Sequence, residues 1–196
     1  MQLLDHSAFW LRDAAVPDGV RAWDAKLPRT CETAIFQLHG VRLRIFNTHL
    51  DHEGHRARRS SALLIASKMR AYRVQEPEVR QLLCGDFNST KLSEAYEIVS
   101  QGLMDVIKHE EVPRSTIHKW KGLDFEDEVG DGTVDLSGKG ALDALHIDWM
   151  LCSGLKSNDL RLIESRVLTD TLPNGRYPSD HFPLSATFVS LPQSSL

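Results

Sequence analysis

The chain has 196 residues, room for one domain with a real core and too few for two. Its composition, 41% hydrophobic and 26% charged, excludes a disordered chain, and no apolar run approaches the ~20 residues needed to span a bilayer. A formal net charge of −4 at pH 7 argues against a strongly basic nucleic-acid binder, whose Lys and Arg would displace counterions from phosphates.

The first residues, Met1 to Asp13, carry no basic stretch followed by an apolar run, so they do not read as a secretory signal. Cys31, Cys84 and Cys152 lie far apart, without metal-type spacing, and read as buried thiols of a reducing compartment. Together these features give a cytoplasmic expectation.

Along the chain, the first clear period begins at Val41, where Val41, Leu43 and Ile45 alternate with Arg42 and Arg44. That is a half-buried strand, and it delivers Asn47 and His49 to its C-terminal end. Arg42, Arg44, Arg56, Arg58 and Arg59 crowd this region and read as a local basic patch or as a solvated strand edge and helix start. A helix is predicted over Ala57–Arg73, where Ala62, Ile65, Met69 and Tyr72 repeat at steps of three and four. Pro77 separates it from a second strand, Val79–Cys84, closed by Gly85-Asp86-Phe87-Asn88. A second helix is predicted over about Ser93–Ser100, stopped by Gly102. Trp120–Leu142 is rich in Gly and Asp, lacks a period and reads as a long loop. Strands are predicted over Ala144–Cys152, Leu160–Leu168 and Pro183–Val189. Strands separated by helices, with polar residues gathered at strand ends, describe an α/β layered domain.

Four places put polar residues at the mouth of an apolar strand: Asn47/His49, Asp86/Asn88, His146/Asp148 and Asp180/His181. In the first three the spacing is i,i+2, so both side chains leave the same face of an extended chain. The inventory suits phosphate-ester hydrolysis. Carboxylates hold a hard divalent cation, Asn and His donate to non-bridging oxygens, and Asp or His orients or deprotonates water.

In order and approximate spacing, Asn47-Thr48-His49-Leu50, Gly85-Asp86-Phe87-Asn88, His146-Ile147-Asp148-Trp149 and Ser179-Asp180-His181 resemble the endonuclease/exonuclease/phosphatase superfamily. The opening, Phe9-Trp10-Leu11 through Leu27-Pro28-Arg29, looks like one bacterial and fungal branch of it, and the likeness runs from about Phe9 to Phe188. The resemblance implies a four-layer α/β sandwich of two mostly antiparallel or mixed sheets flanked by helices. It would be one domain over residues 1–196 with its core at about 9–189. It also implies a Mg²⁺-dependent phosphoesterase, with Mn²⁺ as an alternative ion. Its substrate would be a phosphorylated small molecule, a lipid head group or a nucleic acid, and the acidic balance leans away from long DNA.

By the same resemblance, Asp86 orients or deprotonates the attacking water, and Asn88 contacts the scissile phosphate. His49 binds phosphate, while Asp148 buttresses the final histidine or contacts metal. Asp180 binds metal, and His181 stabilises the transition state or works in the acid/base step. Arg29 and Asn47 are substrate-binding candidates. Family members also carry an earlier strand ending in asparagine and a Gln-Glu pair whose glutamate binds the metal, and nothing before Phe9 matches either. The chain is therefore expected to lack the family's N-terminal part and to be weak or inactive as it stands. One alternative is a non-enzymatic phosphate-binding module. Another, a binuclear zinc hydrolase suggested by Thr48-His49-Leu50-Asp51-His52 and His55, fails on spacing, because Asp51 stands where a histidine is required. His118 and Trp120 are within reach of a substrate, but read as core-filling or solvent-facing.

Overall fold

The computed structural model describes residues 1–38, 40–107, 115–125, 146–153 and 160–190. The described elements are β1 (Gln2–Trp10), β2 (Thr30–Leu38), β3 (Val41–His49), α1 (His55–Gln75), β4 (Arg80–Asp86), α2 (Glu94–Ser100), β5 (Met104–Asp105), β6 (Asp148–Cys152), β7 (Leu160–Val167) and β8 (Leu184–Ser190). Six strands form a mixed sheet in the order β1-β2-β3-β4-β6-β5, and β7-β8 form a separate two-stranded sheet. The β3–β4 pair is parallel and α1 makes the crossover, as a parallel connection requires. The remaining pairs are antiparallel. The α/β class with two sheets is as expected.

Each face of the large sheet has its own cover. On one, Phe46, Leu83, Trp149 and Leu151 pack with Ala62, Ile65 and Met69 of α1 and Ala95 and Val99 of α2. Phe87 stacks on Trp149 at 4.2 Å, and Tyr96 meets the same indole edge-on at 5.0 Å. The buried residues of α1 repeat at helical spacing, so the apolar stripe drives both the helix and its docking. On the other face Leu43, Ile45, Leu82 and Cys152 pack against Leu160, Leu162, Ala186 and Phe188 of the hairpin. That apolar cover stops short of the C-terminal ends of β3 and β4, where the same face turns polar.

The predicted elements from Val41 onward appear with their ends moved by a few residues. Residues 144–145 and 126–142 of the expected strand and long loop lie outside the described residues. Two strands, β1 and β2, precede the first one read from periodicity. The arginine cluster does not form a patch. Arg44 is 1% exposed, grips the Glu76 carboxylate at 2.9 Å and lies 3.8 Å over the Tyr72 ring. Arg58 is buried and donates to the Asp51 carbonyl at 3.0 Å.

Candidate active site

Register gathers the site. His49 on β3 pairs with Asp86 on β4, and Asp86 pairs with Asp148 on β6. One step inward, Asn47 pairs with Cys84, and Cys84 with Met150. Directly paired residues share a face, so His49, Asp86 and Asp148 stand side by side across three adjacent strands. The i,i+2 expectation holds for Asn47/His49, whose side chains are exposed on that face. It fails for His146/Asp148. His146 precedes β6, is 2% exposed, and its carbonyl accepts the Trp149 indole N–H at 3.0 Å. Asn88 also leaves the strand, because β4 ends at Asp86 and Asn88 turns into the left-handed region at φ 45.

Gly85 is the covalent condition for this arrangement. Its φ is +140, and a Cβ there would stand 1.9 Å from the Thr48 carbonyl oxygen of the neighbouring strand. Only glycine lets β3 and β4 close at that point.

One hydrogen bond and one longer ion-pair contact sort the groups into two carboxylate–imidazole pairs. Asp86 Oδ1 accepts the Asn88 backbone N–H at 2.8 Å, and Oδ2 lies 3.3 Å from His49 Nε2. Asp148 Oδ2 accepts the His181 Nδ1 proton at 2.8 Å. Asn88 Nδ2 donates to the Leu50 carbonyl at 3.0 Å, tying the ends of β4 and β3 together. Asp86, Gly85, Asp148, Ser179, His181 and Pro183 are among the lining of an open cleft of ≈ 350 Å³.

The electrostatics differ between the two imidazoles. Burial lowers the His49 proton affinity and outweighs the opposing pull of Asp86, with Arg29 adding to the depression. The hydrogen bond to Asp148 raises that of His181 against its burial. Burial raises the Asp86 carboxyl, and Asp148 alongside raises it further, against the Asn88 N–H.

Other expected residues lie around this core. Arg29 stands close enough to bias His49, and its Nη2 is 3.3 Å from His52 Nδ1. His52 enters the sequence reading only through the zinc-type string, and no spacing rule links it to Arg29. Asp180 is half-buried beside His181, and its carbonyl accepts the His118 and Lys119 N–H groups at 2.8 and 3.1 Å. Among the described residues, the group whose possible ligand atoms lie within 4.8 Å of one another is Asp86, Asp148 and His181. Asp180 is not in it. Two adjacent carboxylates, with the proton affinity of Asp86 raised by burial and by Asp148 beside it, fit a divalent cation in charge and donor type.

The zinc-type string does not converge. His49 turns to Asp86, His55 meets Arg58, and Asp51 is taken up by backbone N–H groups. His118 is buried and stacks on Phe182 at 4.1 Å, while Trp120 is exposed, in line with their structural readings.

No family model matches the sequence, and no curated protein matches it. Solved structures do. A mannosyl-6-phosphatase from Bacteroides thetaiotaomicron aligns at 26% identity and TM-score 0.71, over 96% of this chain and 67% of its own. An endonuclease/exonuclease/phosphatase from Bacteroides vulgatus aligns at 26% and 0.70, over 96% and 66%. Danio rerio TDP2, solved with a single-stranded DNA product, shares the fold at 16% identity and TM-score 0.64, over 96% and 68%. The chain thus spans about two thirds of the length of the structures it matches.

Proposed function

We propose that this chain, which has the endonuclease/exonuclease/phosphatase fold, hydrolyses a phosphoester by attack of water, with the chemistry divided between its two carboxylate–imidazole pairs. The observation that carries this reading is the cross-strand run His49, Asp86, Asp148, closed by the 2.8 Å bond from His181 to Asp148. Asp86, held by the Asn88 N–H through one oxygen, keeps the other to orient water and take its proton. His181, biased toward the protonated form by Asp148, donates to the charge that builds on the phosphoryl oxygens. His49, biased toward the neutral form, binds a phosphoryl oxygen together with Asn47 and the remaining N–H of Asn88. Arg29 adds fixed charge at the rim.

Asp86 and Asp148 would hold a divalent cation, Mg²⁺ or Mn²⁺, leaving His181 as the donor. Asp180, beside His181, contributes charge from the next shell. When bound, such an ion supplies charge neutralisation for the phosphoryl oxygens and acidifies water. A phosphorylated small molecule is the favoured substrate. The net charge of −4, and the burial of Arg44 and Arg58 within the arginine-rich stretch, favour it over a long nucleic acid. The similarity to a mannosyl-6-phosphatase supports the same class.

The test is a Mg²⁺ and Mn²⁺ screen of sugar phosphates against phosphodiesters, with Asp86→Asn as the control. Cation-dependent release of phosphate that the variant abolishes is the expected result. Equal release by both proteins would sink the reading. Phosphate-ester binding without turnover would favour a binding module.

A further inference from the structure

The Asp148–His181 bond joins two elements that no strand ladder ties together. Among the described residues β6 pairs with β4 and β5, and β8, which follows the His181 turn, pairs with β7. The groups are 33 residues apart in sequence. Apolar packing lays the hairpin and Phe182 against the sheet, but it is not directional, and a polar contact is needed to set β6 and the turn at Ser179–Phe182 at hydrogen-bonding distance.

We propose that Thr116 is the positioning residue of the Asp148–His181 pair, and that the segment Ser115–Lys119 is the strut between the strand carrying one partner and the turn carrying the other. The inference rests on the phosphoesterase reading only for its kinetic consequence. Thr116 is 0% exposed and faces both sides at once. Its hydroxyl oxygen accepts the N–H groups of Ile147 and Asp148, each at 3.1 Å. Its carbonyl accepts the N–H of Phe182, the residue after His181, at 2.7 Å. The neighbours of Thr116 repeat the link. Ile117 bridges His181, and the N–H groups of His118 and Lys119 hold the Asp180 carbonyl at 2.8 and 3.1 Å. The His118 ring then packs the turn from beneath, 4.1 Å from Phe182 and 4.5 Å from Tyr177.

A hydroxyl is the required chemistry at this position. The two N–H groups arrive at the end of β6, where among the described residues the Thr116 hydroxyl is what accepts them, and an unmet buried donor is costly. Valine has threonine's shape without the acceptor. In a Thr116→Val chain the Asp148 backbone is released from the turn, and an error of about 1 Å between reacting groups costs on the order of 10²-fold in rate.

The experiment compares Thr116→Val and Thr116→Ser in the full 196-residue chain, using p-nitrophenyl phosphate with Mg²⁺. Thr116→Val is expected to lower kcat about 10²-fold with KM changed less than about twofold, and Thr116→Ser to restore most of kcat. Proton NMR supplies a readout independent of turnover. The His181 Nδ1 proton, held by Asp148, gives a downfield resonance that Thr116→Ser keeps and Thr116→Val loses. Wild-type kcat or an unchanged resonance in Thr116→Val overturns the proposal. If Thr116→Val does not fold by circular dichroism, Thr116→Ala is read in the same two assays, with the same outcomes. If the parent chain shows no turnover, that outcome bears on the phosphoesterase reading and not on Thr116, and the resonance alone decides the role of Thr116.

Discussion

Two histidines share this cleft, and their surroundings push them in opposite directions. His49 is held down chiefly by burial, whereas His181 is held up chiefly by its bond to Asp148. The division matters because, in the proposed reaction, His181 is the charged donor while His49 binds a phosphoryl oxygen without adding a second full charge. Asp148→Asn keeps the shape and removes the charge. We expect the His181 midpoint, followed by its ring proton shifts in NMR, to fall toward the ordinary value of 6.5. An unmoved midpoint would show that Asp148 is not the cause. The sign for stability follows. A raised folded-state midpoint means that the His181–Asp148 bond contributes fully below the unfolded value, and that its contribution is lost as pH rises through the folded one. Asp86→Asn acts on chemistry instead. Without a carboxylate to take the water's proton, turnover should fall by ~10²–10³, the usual cost of losing one prearranged group. Near-normal kcat in that variant would remove Asp86 from the mechanism.

At the scale of elements, the loop from β3 to α1 is organised by one carboxylate. Asp51 is 2% exposed and accepts four backbone N–H groups: Lys26 and Leu27 at 2.9 and 3.0 Å, and Glu53 and Gly54 at 3.1 and 2.7 Å. Burial alone would raise its pKa, but these donors overcome it and hold it at about 2. The sequence offered Asp51 only as a failed zinc ligand, since a clamp between segments 25 residues apart leaves no local pattern. A depressed carboxyl gives stability that is present above its unfolded value near 3.8 and is lost as pH falls toward 2. Its size is about 2 kcal/mol. Asp51→Asn should therefore lose roughly that much in urea unfolding at pH 7, and the difference from the parent chain should narrow on acidification. A constant difference from pH 7 to pH 2 would contradict the charge argument. The same locality explains which strands could be read. β3 announces itself because one face is apolar and the other carries arginines. β2 buries Cys31, Thr33 and Ile35, so a polar threonine on the inner face hides the period. β1 is an edge strand with Gln2–Ala8 exposed on both faces, and no burial wrote an alternation into it.

For the whole molecule, i,i+2 spacing revealed that Asn47 and His49 share a face, but not which strands would lie beside them. Register decides that, and it brings Asp86 against Asp148 while leaving Asp180 outside the trio. The arrangement has a thermodynamic consequence that does not depend on turnover. Two carboxylates side by side in a partly buried cleft repel each other, and the raised proton affinity of Asp86 records that cost together with burial. A cation bound there relieves the repulsion only in the folded state. At a free concentration of about 100 times Kd, binding adds about 2.7 kcal/mol to stability. For a chain of this size that is a rise of about 5–10 °C in Tm. Removing the ion with a chelator should reverse the rise, and Mn²⁺ should act as Mg²⁺ does, because carboxylate donors suit both. Asp86→Asn provides the opposing signature. Without ion the variant should melt no lower than the parent chain, since one of the repelling charges is gone, and added Mg²⁺ should move it little. A parent chain indifferent to both ions, or a variant that still responds fully, would place any cation elsewhere than between these two strands.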